Sequence, residues 1–146
     1  MSDTTVSFML AVRDASEASQ WYQQALGAIE LWSLGSVRAL EFGNTPFILH
    51  EPTDGFATPG DAGTTTVRLE VLTSDPDSIV ARAVEAGADG SRDLVRDHEM
   101  PWGIRRAGGF RDPFGHVWIV GDTSPLNWRG SVSAEPVAPT ARDRLV

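Results

Sequence analysis

The chain has 146 residues, 41% of them apolar, and a formal net charge of −8, which is one domain's worth of polypeptide, able to bury a core without covalent staples. It contains no cysteine, and this excludes disulfides, thiolate metal sites and a cysteine nucleophile. The charge argues against nucleic acid as a partner and mildly favours a neutral or cationic ligand, while the lack of a long apolar run or a basic-then-apolar start predicts no membrane partner and a cytoplasmic location.

In chain order, residues 6–12 read as a strand with Phe8, Leu10 and Val12 on one face and Ser7, Met9 and Ala11 on the other. Asp14 suits a helix N-cap, and Ala18, Trp21, Tyr22, Ala25 and Leu26 recur at helical spacing until Gly27 supplies a stop. Three apolar runs follow, 29–34, 37–42 and 47–51, separated by Gly35-Ser36 and Gly43-Asn44, which read as hairpin turns. The first half is therefore β-α-β-β-β. Residues 51–63, rich in Pro, Gly and Asp, form a connector.

The pattern then restarts. Residues 65–71 alternate as a strand, and 76–86 repeat apolar residues at Ile79, Val80, Ala83 and Val84, with Pro76 in the first turn, Ser74 or Asp75 as cap and Gly87 as stop. The same interval separates Asp14 from Ser74 and Gly27 from Gly87, and each glycine is followed by alanine, so the chain carries an internal repeat. The second half continues through an ill-defined run at 94–98, a strand at 104–110 and a last strand at 116–120. Asp112-Pro113-Phe114-Gly115 joins these last two strands as a tight turn, with Asp at its first position, Pro fixing φ at the second and Gly free to take positive φ.

Two such units must share a core, since neither buries a sheet face alone. The apolar faces would meet the helices, and the other faces would line a concave surface holding Ser7, Met9, Phe47, Leu49, Glu51, Thr66, Arg68, Glu70, Val117 and Ile119. A mixed charged and apolar face suits a small-molecule cleft. The same alternation also fits an open sheet with Arg68 and Glu70 simply in water.

Of the three histidines, His50 points away from its neighbour Glu51 on a strand, His116 is expected to bond backbone near the hairpin, and His98 lies in an expected solvated loop beside Asp97 and Glu99. Trp21 and Trp118 read as core residues. Trp32 and Trp102 do not, and either stacking on a planar ligand or packing at a dimer interface accounts for them. Residues 123–146 lose all periodicity and are expected to be an extended or disordered tail, in which Trp128 with Leu126 would dock on the body or on a partner subunit.

Three stretches, FMLAVRDASEASQWYQQALGA, VRLEVLTSDPDSIVARAVEAGA and WGIRRAGGFRDPFGHVWIVGD, together resemble the vicinal oxygen chelate superfamily, which includes glyoxalases, bleomycin-resistance proteins and ring-cleaving dioxygenases. The resemblance covers about residues 6–122. It implies an α+β fold in which two β-α-β-β-β modules form a curved mixed sheet around a cleft. One domain spans 1–122, with halves at about 5–51 and 64–122, and the protein is expected to be a homodimer. Metal-dependent members carry His, Glu or Gln ligands on the first and last strands of each half, and here those positions fall at Ser7, Leu49, Thr66 and Ile119. None is a normal ligand for a divalent ion, and Glu51 would reach the second position only through a two-residue slip.

No metal and no cofactor are therefore expected. The reading is metal-independent binding or sequestration of a small planar or cationic compound, such as a natural-product antibiotic. Trp32 and Trp102 would stack on it, Met9, Phe47 and Ile119 would bury it, and Glu51, Arg68 and Glu70 would orient it. The alternative is a lyase, isomerase or dioxygenase-like enzyme of the same superfamily, using ligands in another register or Glu51, Glu70 or His98 as a general base. A scaffold without a ligand would fill the cleft with its own side chains.

Overall fold

A computed structural model of the chain describes residues 3–127. The first module runs β1 (Phe8–Ala11), α1 (Ala15–Leu26), β2 (Ile29–Leu34), β3 (Val37–Phe42) and β4 (Thr45–His50). After a single helical turn, α2 (Pro59–Ala62), the second runs β5 (Arg68–Leu72), α3 (Pro76–Glu85), β6 (Arg96–Met100), β7 (Gly103–Arg111) and β8 (Val117–Gly121). One further turn, α4 (Ser124–Asn127), begins the segment expected to be extended; Trp128 lies outside the described residues.

Local chemistry sets these boundaries. The Asp14 carboxylate accepts the Glu17 N–H at 3.0 Å and starts α1; Gly27, at φ 73°, turns its N–H back to the Gln23 carbonyl and ends it. In the second module the cap is Asp75, which accepts the Ser78 N–H, and Pro76 takes the first helical position where no partner for its nitrogen is needed. The helix starts one residue later than the repeat through Ser74 implied. Gly35 and Gly43 both adopt positive φ in the hairpin turns.

Each module folds into a four-stranded mixed sheet, in the orders β1-β4-β3-β2 and β5-β8-β7-β6. Only the first strand of each module is parallel to its neighbour. The charged run 96–100, ill-defined in sequence, is the edge strand β6 paired with β7.

Both sheets turn one face into a shared core. Leu10, Leu40, Phe47 and Leu49 come from the first, Phe110, Trp118 and Val120 from the second. Tyr22 of α1 is fully buried between them, its ring against those of Phe47, Phe114 and Trp118, while Phe8 and Phe42 of the first sheet reach Trp118 of the second. Each such side chain contributes roughly 1.5–3 kcal/mol of burial. Placing Phe47 and Leu49 here corrects the expected cleft face. Parallel pairing aligns Phe47 with Phe8 and Leu49 with Leu10, both core residues, so Ile48 and His50 take the outer face beside Met9 and Ala11.

Polar ties reinforce the joint. Trp21 Nε1–H donates to the Ala86 carbonyl at 2.8 Å, Arg82 Nε–H to the Gln24 carbonyl at 2.9 Å, and His116 Nε2–H to the Ala11 carbonyl at 2.8 Å. The His116 bond thus reaches the other module rather than its own hairpin.

Candidate functional site

The turn at residues 112–115 positions the last strand. Asp112 is buried, and its Oδ1 accepts the N–H groups of Phe114 and His116 at 3.0 Å each. Its Oδ2 accepts from Trp118 Nε1 at 2.9 Å and from the Tyr22 hydroxyl. Burial raises the Asp112 carboxyl above its ordinary range, against the lowering effect of the Tyr22 and Trp118 hydrogen bonds. The Tyr22 phenol is raised well above 10 by burial and by the Asp112 charge. This node fixes β8 against α1, and with it the outer face of the second sheet.

That face is read directly from the register. Glu70 pairs with Ile119, Ile119 with Gly109, Gly121 with Ala107, Ala107 with Arg96, and Arg105 with His98, so these residues share the side opposite the core. The opposite side of β7 carries Arg106, whose guanidinium holds Asp77 of α3 at 2.7 Å, which confirms the side on which the helix packs. Two glycines leave room for side chains to lie flat on the outer face. A Cβ on Gly109 would stand 3.1 Å from Asp93 Oδ2, and one on Gly121 would stand 2.6 Å from Arg105 Nη2. Burial raises the Asp93 carboxyl, while the charges of His98, Arg96 and Arg68 pull it back. Arg105 donates from Nη2 to Glu70 Oε2 at 3.2 Å, with a side chain only 5% exposed against 50% for Glu70. The result is a charged rim, Arg68, Glu70, Asp93, Arg96 and Arg105, around Ile119.

The corresponding face of the first sheet is mostly apolar, with Glu41 and His50 as its polar members. A bulge in β2 between Glu30 and Trp32 lets Glu30 turn toward Ser19 on α1 while Trp32 pairs with Ala39 on the outer side. Trp32 and Met9 are about half exposed there. Where β1 comes near the start of β5, an open pocket of about 370 Å³ is lined by residues including Met9, Phe56, Thr66, Val67 and His116.

The expected site residues therefore separate. Arg68, Glu70 and Ile119 come together on the second sheet; Met9 and Trp32 lie on the first. Trp102 sits half-buried at the β6–β7 turn, its Nε1–H donating to Ser124 Oγ at 2.9 Å. Phe47 is in the core. Glu51 is committed to the helix, its Oε2 accepting the Ala15 N–H at 3.0 Å at the start of α1. His98 is a buried strand residue with Nε2 at 3.1 Å from the Ala107 carbonyl, not a loop residue. Arg105, Arg96 and Asp93 had no place in the sequence reading; the available signal was the small residues Ala107, Gly109 and Gly121 clearing one face.

Of the four positions the resemblance implies for a metal, Ser7 and Thr66 hold hydroxyls and Ile119 hydrocarbon, while Leu49 is buried in the core and leaves Ile48 and His50 on the outer face of its strand. Among the described residues no three His, Asp or Glu side chains converge as a metal site. The donor set does not fit a divalent ion, so no chemical step is assigned to one here. Among the described residues, no helix is long and apolar enough to cross a membrane.

Residues 7–120 match the family described as "Glyoxalase-like domain". No curated protein matches the chain. Among solved structures, a gene product of Arabidopsis thaliana is 27% identical, with 83% of this chain and all of that one aligned at a TM-score of 0.60. TioX from Micromonospora sp. ML1 is 23% identical over 82% of this chain and 98% of its own, also at 0.60. The fosfomycin resistance protein FosX from Mesorhizobium loti is 13% identical, with both chains fully covered at 0.57. These similarities share one architecture, two β-α-β-β-β modules.

Proposed function

Because the chain belongs to the glyoxalase-like domain family of the vicinal oxygen chelate superfamily, we propose that it binds or sequesters a small planar organic compound without the help of a metal ion. The observation that carries this reading is the outer face of the second sheet, where Arg68, Glu70 and Arg96 border Ile119, itself only 6% exposed, beside a small recess of about 80 Å³ that it lines with Asp93. Polar groups for orientation around an apolar contact are what a small-molecule site needs.

The ligand's charge follows from the rim rather than from the whole chain. Charges beyond roughly 8–10 Å are screened at physiological ionic strength, so Arg68, Arg96 and Arg105, set against Glu70 and Asp93, outweigh the net −8 of the chain. We therefore favour a neutral or anionic planar ligand over a cationic one.

A homodimer completes the proposal. One chain presents an apolar outer face on its first sheet and a charged one on its second, and the two meet at the open pocket where β1 comes near the start of β5. A second copy laying its Met9 and Trp32 face over the rim would enclose a ligand that a single chain leaves open to water. Elemental analysis of the purified protein, then tryptophan-fluorescence titration in chelator with a panel of planar compounds, tests the reading. Saturable quenching that is unchanged by chelator is expected. Stoichiometric metal, or binding that appears only after metal is added, would overturn it.

A further inference from the structure

The least satisfied buried group on the outer face is Arg105. Its side chain is 5% exposed, and among the described residues its Nε is the buried side-chain nitrogen or oxygen atom without a hydrogen-bond partner. A guanidinium offers five donors and never gives up its charge, so a buried one is stable only where acceptors surround it. Here Nη2 donates to Glu70 Oε2 at 3.2 Å, long for a charge-assisted bond, which usually falls near 2.7–2.9 Å. Nε and Nη2 form one edge of the guanidinium, the fork that matches two oxygens of one oxyanion. Glu70 uses half of that fork from a side chain that is itself half in water.

The floor beneath the fork is prepared for it. A Cβ at position 121 would begin 2.6 Å from Nη2 and 2.9 Å from Nε, so with glycine there the guanidinium lies across β8 toward β5, and a larger residue would push it aside. Nothing in the hairpin geometry asks for that glycine: Gly121 is not among the residues with positive φ. Close approach of the Arg105 head is the physical reason for a residue without a side chain there.

We propose that Arg105 anchors the carboxylate of a planar organic acid, with Glu70 as the counter-ion that steps aside when the acid binds. This deepens the binding reading above by naming the ligand class, and it rests on that reading. In the free protein Glu70 keeps the buried charge from standing alone; in the bound state the acid takes both Nε–H and Nη2–H, and Glu70 turns into solvent, as its exposure permits.

Benzoate is the probe, with benzamide and benzylamine as its neutral and cationic counterparts and inorganic phosphate as an oxyanion without a ring. Titrations follow tryptophan fluorescence and the Arg105 Nε–H signal in a ¹⁵N spectrum of the full-length protein. Benzoate is expected to shift the Nε–H signal saturably, and Glu70→Gln, at an exposed position, to tighten benzoate about tenfold by removing the competing carboxylate. Arg105→Gln is expected to weaken it by about 10- to 100-fold, the value of a charged hydrogen bond; Arg105→Lys, which retains charge but not the fork, should restore little. Phosphate shifting the same signal supports the oxyanion site, with the ring then adding affinity. Benzamide or benzylamine binding as well as benzoate, with Glu70→Gln neutral, overturns the acid assignment and leaves the general binding reading standing. No saturable response to any probe in wild type or Glu70→Gln overturns both.

Discussion

The two modules repeat one plan and differ where it meets solvent. Both have a capped helix over a mixed sheet whose first and last strands run parallel. Their core faces are alike, large apolar side chains converging on Tyr22 and Trp118. Their outer faces are opposite in character. The first shows Met9, Ile48 and Trp32; the second shows Arg68, Glu70, Arg96 and Arg105. A duplicated unit can hold its inward face fixed, because both copies pack on the same core, and let its outward face diverge. On the proposed reading, the asymmetry of the outer faces, rather than the fold, is where specificity would reside.

The turns before each last strand differ as sharply, and substitution there should give the largest effect. Asp112 accepts four hydrogen bonds in a buried position, whereas its first-module counterpart, the turn at Gly43-Asn44, is exposed. Asp112→Ala is expected to cost about 3–5 kcal/mol by stranding buried donors, which lowers Tm by roughly 10 °C for a chain of this size; Asn44→Ala should stay within about 0.5 kcal/mol. Equal losses from the two in thermal melts would erase the contrast. The pH dependence follows from the direction of the Asp112 shift. Its folded-state carboxyl lies above its unfolded value, so the native state binds the extra proton in that window, and the stability this group confers falls as pH rises through it. Compared with Asp112→Asn, wild type should therefore lose its advantage as pH is raised from below about 4, a trend read from denaturant midpoints.

A middle-sized contrast sits in the glycines. A Cβ on Gly108 would meet the Val95 nitrogen at 2.6 Å and the Asp93 carbonyl oxygen at 2.8 Å, backbone that cannot swing away. Gly108→Ala should cost about 2–3 kcal/mol as overpacking. Gly35→Ala, with open space around it but φ at 55°, should cost about 1 kcal/mol from backbone strain alone. The smallest effect on stability is expected at Trp32, half exposed on an edge strand: Trp32→Ser should change unfolding by about 0.5 kcal/mol or less, yet shift sedimentation toward monomer. An unchanged sedimentation profile would remove Trp32 from the proposed dimer face.

The features legible in the sequence were those written in local chemistry. Asp14, Gly27, Pro76 and the glycines of the hairpins announce helix ends and turns within a few residues, and the structure places them there. Faces were legible only where polar and apolar residues alternate. Residues 65–71 alternate, and Arg68 and Glu70 were set correctly opposite Leu69 and Val71. Phe47, Ile48 and Leu49 are all apolar, so periodicity cannot choose between faces, and the choice is made by pairing with β1, about forty residues earlier. β6 is hard to read from sequence for the converse reason. With Asp97 and Glu99 exposed on the helix side and His98 buried on the outer face, its stretch RDHEM holds one apolar residue, Met100, and no hydrophobic period. Glu51 reads as a cleft residue in sequence because nothing nearby reveals that its partner is a helix N–H 36 positions away. Arg105 and Arg106 are adjacent and chemically identical, and only the register of β7 against β8 decides which one enters the face and which one meets α3.

The bond from Tyr22 to Asp112 spans 90 residues, and its consequence is kinetic. Neither sheet completes its aromatic core until that long loop has closed, and the entropy of closure must be met before the buried rings return any stability. The halves are therefore not independent folding units, despite their repeated plan. Unfolding should be a single cooperative event, with both helices losing amide protection together rather than one module outliving the other.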